Sequence, residues 1–144
     1  FEKGARGILY ASQVCVGDLN NLQIRVYGDK GSIEWKQQDP NELYFYEKQG
    51  SVKIYRRGTD EVAAKSRAAA AATRLPFGHP EGFYEAFASI YRNVCNSINA
   101  VNAGKKPTEI DLDLPTVDDG VRGMQFIETV IKSSKECKWI KWIK

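Results

Sequence analysis

One histidine, His79, serves the whole 144-residue chain. That scarcity excludes His-clustered metal sites, and a Ser-His-Asp arrangement would have to use His79 itself. Cysteine is scarce as well: Cys15, Cys95 and Cys137 are an odd number at wide spacings. They offer neither a disulfide framework nor the close ligand pairs of a zinc site, and they read as ordinary thiols of a reducing compartment. No apolar run approaches the roughly 18 residues needed to span a bilayer, and no basic-then-apolar leader opens the chain. The expectation is a cytoplasmic protein with no membrane partner. The sequence has no G-x-G-x-x-G after a strand, no P-loop, no H-E-x-x-H and no C-x-x-C. From its own residues it therefore gains no cofactor-binding turn, no metal ligands and no catalytic set.

Charge of one sign is also lacking over most of the chain. The net charge is +3, yet the tail "KSSKECKWIKWIK" alone holds five lysines and one glutamate, leaving 16 basic and 17 acidic residues elsewhere. A near-neutral body with one basic end is a poor nucleic-acid groove, and no nucleic-acid partner is expected. Trp139 and Trp142, three apart in that tail, suit a strand end better than a base-stacking platform. The whole chain is 42% hydrophobic and 27% charged, an ordinary globular composition that predicts one domain over residues 1–144. The first residue is Phe1, within strand-like sequence, which suggests a piece of a longer polypeptide.

The first part of the chain alternates. Residues 5–17 ("ARGILYASQVCVG") place Ile8, Tyr10, Ser12, Val14 and Val16 on one side. "NNLQIRVYG" sets Leu22, Ile24 and Val26 against Gln23, Arg25 and Tyr27, and "GDKG" then supplies a tight reversal. "SIEWKQ", "ELYFYEK" and "SVKIYRR" follow, separated by turns at "DPN" and "QG". Short turns pair successive strands antiparallel, giving a meander of about five strands. Its two expected faces differ in kind. One carries Leu22, Ile24, Val26, Ile33, Trp35, Leu43, Phe45, Val52 and Ile54, enough for a core. The other carries Gln23, Arg25, Tyr27, Glu34, Lys36, Tyr44, Tyr46, Lys53 and Tyr55. Tyr and Arg enrichment is the composition of a protein interface, so Arg25, Tyr27, Tyr44, Tyr46 and Tyr55 are candidate oligomer contacts. A solvated outer face is the plainer alternative.

Residues 59–74 ("TDEVAAKSRAAAAATR") are rich in alanine but carry almost no apolar stripe, as in a partly helical connector. From Pro80 the period becomes helical: Phe83, Phe87, Ile90, Tyr91, Val94, Ile98 and Val101 draw one stripe. Pro80 suits a first helical position, which puts His79 in the N-cap neighbourhood, and Gly104 is available to end the helix. "TEIDLDLP" alternates briefly and reads as extended. Thr116 with Asp119 three residues on is a variant capping box for a second helix. Val117, Val121, Met124, Ile127 and Ile131 would line that helix's buried side, with Gly120 and Gly123 admitting a close neighbour. "KWIKWI" reads as a last strand. The fold class is α+β: an open-faced, mainly antiparallel β-sheet with helices packed on one face. The paired acids Asp111/Asp113 and Asp118/Asp119 read as turns and caps rather than an acid/base pair.

Three segments in order, "GARGILYASQ…NNLQIRVYGDKGSIEW", "RLPFGHPEGFYEAFASIY" and "PTVDDGVRGMQFIETVIKSS", resemble the C-terminal domain of the glucose-fructose oxidoreductase / inositol dehydrogenase family (Gfo/Idh/MocA). The likeness covers nearly the whole chain apart from the alanine-rich connector. It implies an NAD(P)-dependent oxidoreductase whose N-terminal Rossmann domain binds NAD or NADP. The C-terminal domain of that family shapes the substrate cleft and builds a dimer or tetramer through its open sheet face. Substrates in the family are sugars, inositols or related polyols. The chain departs from the family pattern by lacking the Rossmann fingerprint and the Glu-Lys-Pro motif; "FEKG" and "YEKQ" contain Glu-Lys without the proline. The resemblance therefore implies the substrate and oligomerisation half alone, without the N-terminal Rossmann domain. That half is expected to bind no cofactor and catalyse nothing by itself. In the family the loop before the first helix lies near the cleft, which makes Arg74 and His79 candidate substrate contacts. The competing expectation is a stand-alone module that dimerises through its tyrosine-rich sheet face and has no enzymatic activity.

Overall fold

A computed structural model describes residue 1 and residues 3–142. They fall into two compact units, Phe1–Ser66 with Leu75–Pro80, and Arg67–Arg74 with Glu81–Lys144.

The first unit is built on four strands, β1 (Gln23–Tyr27), β2 (Gly31–Lys36), β3 (Glu42–Glu47) and β4 (Val52–Arg56), paired antiparallel in sequence order. Each turn is the one its residues dictate. Gly28 donates to the Gly31 carbonyl (2.8 Å) across "GDKG". The Trp35 indole N–H donates to the Pro40 carbonyl (3.1 Å) and pins the "DPN" turn. Gln49, left-handed at φ 55°, makes the last hairpin. A short helix, α1 (Asp60–Lys65), follows β4, capped at Thr59.

The register corrects the expected faces. Ile24, Val26, Ile33, Trp35, Leu43 and Phe45 do share one face, but β4 joins with the opposite parity: Phe45 pairs with Lys53, Leu43 with Tyr55, and Tyr44 with Ile54. Tyr55 thus lies on the apolar face, 6.4 Å from the Phe45 ring, and Val52 and Ile54 lie on the tyrosine face. A one-residue difference in the β3–β4 loop exchanges every side chain of β4 between faces. Alternation within β4 cannot reveal which way that loop counts.

Residues 5–17 form no strand. Asp18 donates to the Cys15 carbonyl (3.2 Å) with Gly17 left-handed at φ 101°, and Val14 donates to the Ser12 hydroxyl, so residues 12–18 make local turns. Alternation shows which way side chains point in an extended chain; a strand also needs a partner for its backbone. The meander therefore has four strands, not five. Glu2 of "FEKG" lies outside the described residues.

The second unit contains α2 (Arg67–Ala72), α3 (Phe83–Asn102) and α4 (Val117–Glu136). α3 starts three residues later than Pro80 predicts. Gly82 is the cap residue, and its N–H donates to the Glu85 carboxylate (2.8 Å). This places His79 outside the cap. A residue before proline can adopt the extended backbone of an N-cap, so the local sequence permits either start, and the bond from Gly82 to Glu85 marks the one the chain takes. At the other end Gly104 is left-handed at φ 67°, and the Lys105 N–H reaches the Ala100 carbonyl (2.8 Å), the six-to-one closure that glycine makes easy. "TEIDLDLP" is a turn rather than an extended segment. Asp111 accepts from the Thr108 N–H (2.9 Å) and hydroxyl (2.6 Å). Asn93 and Ser97 of α3 donate to the Asp113 and Asp111 carbonyls, both at 3.0 Å. α4 begins on the Thr116–Asp119 capping box that its sequence shows. No strand forms over residues 138–142. Trp142 instead stacks near Phe126, ring centres 5.5 Å apart, and Ile143 lies outside the described residues.

Among the described residues only two are buried, Glu34 and Asn93, and both are polar. The α4 stripe of Val117, Val121, Met124, Ile127 and Ile131 is exposed rather than buried. A Cβ at Gly120 or Gly123 would meet nothing within 4 Å. Helical period tells which side chains share a stripe, not what covers it.

Candidate functional site

Two places in the chain gather the candidate side chains: the tyrosine face of the sheet, and the loop that holds His79.

On the sheet face the register sets Arg25, Glu34, Tyr44 and Ile54 in one row and Tyr27, Ser32, Tyr46 and Val52 in the next. The hub is Glu34, only 4% exposed. It accepts the Tyr46 hydroxyl (2.7 Å) and the Arg25 guanidinium (3.1 Å), with the Lys36 ammonium 3.4 Å away. The Tyr46 bond first, then Arg25 and Lys36, hold the Glu34 carboxyl below the usual carboxylate range. The same bond raises the Tyr46 hydroxyl above the usual phenol range, and Glu34 raises the Arg25 guanidinium further. Beside this hub, Glu42 accepts Arg56 Nε (3.0 Å) and the Tyr44 hydroxyl (3.0 Å), and both lower its pKa. The Lys36 ammonium lies 5.8 Å from the Tyr44 ring centre.

Near neutral pH this network keeps its carboxylates ionised and its phenols protonated. Four of the five candidate contact residues, Arg25, Tyr27, Tyr44 and Tyr46, share this face; Tyr55 does not. Tyr27 is well exposed at 73%, and Val52 and Ile54 add aliphatic surface beside the tyrosines. The sequence put Glu34 on this face but gave no sign that it is the buried hub. The available signal is its place mid-strand between Arg25 and Tyr44, diagonal to Tyr46, which is visible only once the register is known.

The loop Leu75–Pro80 is exposed. Its His79 N–H donates to the Pro76 carbonyl (3.2 Å), with Gly78 left-handed at φ 87°. Arg57 at the end of β4 reaches into it: Nη1 donates to the Leu75 carbonyl (3.0 Å), Nη2 to the His79 carbonyl, and Nε to the Asn41 side-chain oxygen (2.9 Å). Arg57 was missed from sequence, where "YRRG" gives it the same appearance as Arg56. Arg74 belongs to the other unit. Its side chain is exposed, and its backbone N–H donates to the Glu81 carboxylate (2.7 Å).

Among the described residues no group of three or more His, Cys, Asp or Glu is placed to hold a metal ion, and no helix is long and apolar enough to cross a membrane. The cysteines are free thiols.

Comparison with known proteins matches residues 1–142 to the model described as "Oxidoreductase family, C-terminal alpha/beta domain". The chain is 33% identical over 147 residues to the uncharacterized oxidoreductase YfiI of Bacillus subtilis (strain 168), covering 99% of this chain and 36% of that protein. A crystal structure of an oxidoreductase from Sinorhizobium meliloti superposes with a TM-score of 0.79 at 40% identity, over 90% of this chain and 35% of that one. An inositol dehydrogenase homolog from Azotobacter vinelandii, complexed with NADH and myo-inositol, gives a TM-score of 0.71 at 29% identity, over 81% of this chain and 30% of that one. The chain thus spans about a third of the length of the relatives it matches.

Proposed function

This chain belongs to the Gfo/Idh/MocA oxidoreductase family, as its C-terminal alpha/beta domain, and on that premise we propose that it is the substrate-side and oligomerisation half of an NAD(P)-dependent sugar or polyol dehydrogenase. The observation that carries the reading is the family match along residues 1–142 by a chain that spans about a third of its relatives. The nicotinamide cofactor belongs in this reading to an N-terminal Rossmann domain, since this chain has no glycine-rich turn opening a helix to take a pyrophosphate. When bound there, the cofactor exchanges hydride with a carbinol carbon of the substrate. The inositol bound by the Azotobacter homolog favours a polyhydroxylated ring as the substrate class.

The two gathered sites divide the roles. The Arg25–Glu34–Tyr46 face, joined by Tyr27, Tyr44, Val52 and Ile54, is the contact with a second copy of the chain. Its aromatic and arginine content fits an interface, and its internal bonds pre-order those side chains before association, which lowers the entropy lost on binding. His79, exposed on a loop whose backbone is tied down, donates or accepts one hydrogen bond with a substrate hydroxyl. Arg74 is the second candidate contact.

The test uses the full-length enzyme with NAD+ and a panel of inositols and sugars, followed by NADH absorbance. Turnover of a polyol is expected, with His79→Ala raising KM. A hydroxyl hydrogen bond lost at the substrate corresponds to roughly a five- to tenfold change. No activity on any polyol, together with unchanged binding of a panel member by the variant, would overturn the substrate role. For the interface, sedimentation of Arg25→Glu, which sets a second carboxylate beside Glu34, should show a smaller assembly than the parent. An unchanged assembly removes the interface role from this face.

A further inference from the structure

We infer that Arg57 is a positioning residue for the loop Leu75–Pro80, one guanidinium fixing the backbone on which His79 stands. The inference rests on the reading of His79 as a substrate contact but stands on its own geometry. Three segments meet at Arg57. Its backbone N–H donates to the Asn41 carbonyl (2.9 Å), extending the β3–β4 pairing by one residue. Its Nε donates to the Asn41 side-chain oxygen (2.9 Å), which fixes the plane of the guanidinium. The two remaining nitrogens then point at the Leu75 carbonyl (3.0 Å) and the His79 carbonyl, one near each end of the loop.

A carbonyl at each end of a six-residue loop, held by one rigid planar group, removes most of the loop's freedom to swing. Lysine could supply the charge but not the fork, because its single ammonium cannot face both carbonyls and Asn41 together. Gly58 adds a second restraint. A Cβ there would stand 3.3 Å from the Phe77 Cα, so the loop backbone lies close against the chain just after Arg57. Gly58 is also left-handed, at φ 79°, a conformation that glycine adopts without strain. The pairing Arg57–Gly58 is therefore a seat for the loop: a clamp and a close-fitting floor from two adjacent residues.

A loop that carries a recognition side chain gains from such a seat. With its backbone fixed before substrate arrives, the imidazole of His79 has only its own torsions left to order on binding. Freeing the loop should weaken binding without altering the reacting groups, so the effect should appear in KM rather than kcat.

The experiment compares parent, Arg57→Lys and Asn41→Ala as full-length enzymes by amide hydrogen exchange, and by KM and kcat for myo-inositol with NAD+. Arg57→Lys should speed exchange of the His79 amide, which donates to the Pro76 carbonyl within Leu75–Pro80, by about tenfold or more with little change elsewhere. Asn41→Ala keeps the guanidinium but removes the group that orients it, and should give a smaller rise in the same segment. If Arg57→Lys loosens the whole domain, Asn41→Ala decides on that same readout. Unchanged exchange in Leu75–Pro80 overturns the inference. The kinetics separate it from the reading beneath it. A raised KM in Arg57→Lys that is not raised further by adding His79→Ala supports both. An altered KM in His79→Ala with parental exchange and KM in the Arg57 variant sinks the positioning role alone. Faster exchange with no effect of either variant on KM supports the seat and sinks the substrate contact.

Discussion

Gly31 opens β2 opposite Glu47 of β3, and replacing it with alanine asks how tightly the sheet is held. A Cβ on Gly31 would stand 2.6 Å from the Tyr46 carbonyl oxygen and 3.2 Å from two atoms of the Phe45 ring. Ordinary van der Waals contact begins near 3.4 Å, so the strands must part by about 0.8 Å at this point. The obstacle is backbone, which cannot rotate away as a side-chain end could. Overpacking of this kind costs about 1–3 kcal/mol. Alanine also restricts the unfolded chain, which returns about 0.4–1 kcal/mol. The net is a loss of about 1–2 kcal/mol, or a five- to thirtyfold fall in the folding constant. Gly120 is the control. It lies inside α4 with a helical φ and open space around its Cβ, so alanine there should gain about 0.5–1 kcal/mol. Urea denaturation followed by far-UV circular dichroism reads both: a lower midpoint for Gly31→Ala and a higher one for Gly120→Ala, with the slope unchanged. A Gly31→Ala protein as stable as the parent would refute the reasoning, because it would mean the β2–β3 contact yields at no cost.

The capping box of α4 makes two further predictions. Thr116→Ala removes the hydroxyl that accepts the Asp119 N–H and donates to the Asp119 carboxylate, and should lower stability by about 1 kcal/mol in the same denaturation assay. The Asp119 carboxyl is lowered from 3.8 to about 2, first by the Thr116 hydroxyl, then by the Thr116 N–H and Arg122. A carboxyl depressed in the folded state contributes stability above its unfolded pKa and loses it as pH falls toward the folded value. Stability should therefore decline as pH drops from about 4 to about 2, and the decline should be shallower in Asp119→Asn. An equally steep acid limb in the variant assigns the loss to other carboxylates. Glu34, Glu42 and Asp111 are lowered in the same direction.

Much of the fold was legible because the sequence carries local punctuation. "GDKG", "DPN" and "QG" mark three turns with residues that have few other uses, and the strands between them alternate as strands must. Thr116 and Asp119 announce the start of α4 by their spacing, and Gly104 announces the end of α3. Where the reading failed, the missing information was non-local. Residues 5–17 alternate, less cleanly than β1, and have no ladder partner among the described residues. Pro80 is a good first helical residue, yet Glu85 reaches back to Gly82 and starts α3 there. The stripes of α3 and α4 are real, but stripe and burial are separate properties: Phe83 and Val117 remain mostly exposed.

The candidate sites follow the same division. Arg25, Tyr27, Tyr44 and Tyr46 could be assigned to one face by alternation within β1, β2 and β3, and the register keeps that assignment. Tyr55 could not, because the loop of residues 48–51, with a left-handed Gln49, brings β4 in with the opposite parity. Glu34 and Arg57 pose a harder problem. In sequence each is a charged residue close to another, Glu34 two before Lys36 and Arg57 next to Arg56. What distinguishes them is convergence: Tyr46, Arg25 and Lys36 on one carboxylate, and Asn41, Leu75 and His79 on one guanidinium, with partners up to 22 residues away. A charged side chain satisfied by several distant partners costs desolvation, and the cost is met only when all partners are present together. The same dependence makes each hub a sensitive point: removing one partner of Glu34 or Arg57 should loosen segments far apart in sequence. The neighbouring charges Arg56 and Lys53, each paired with one exposed or half-exposed carboxylate, should be replaceable with little effect.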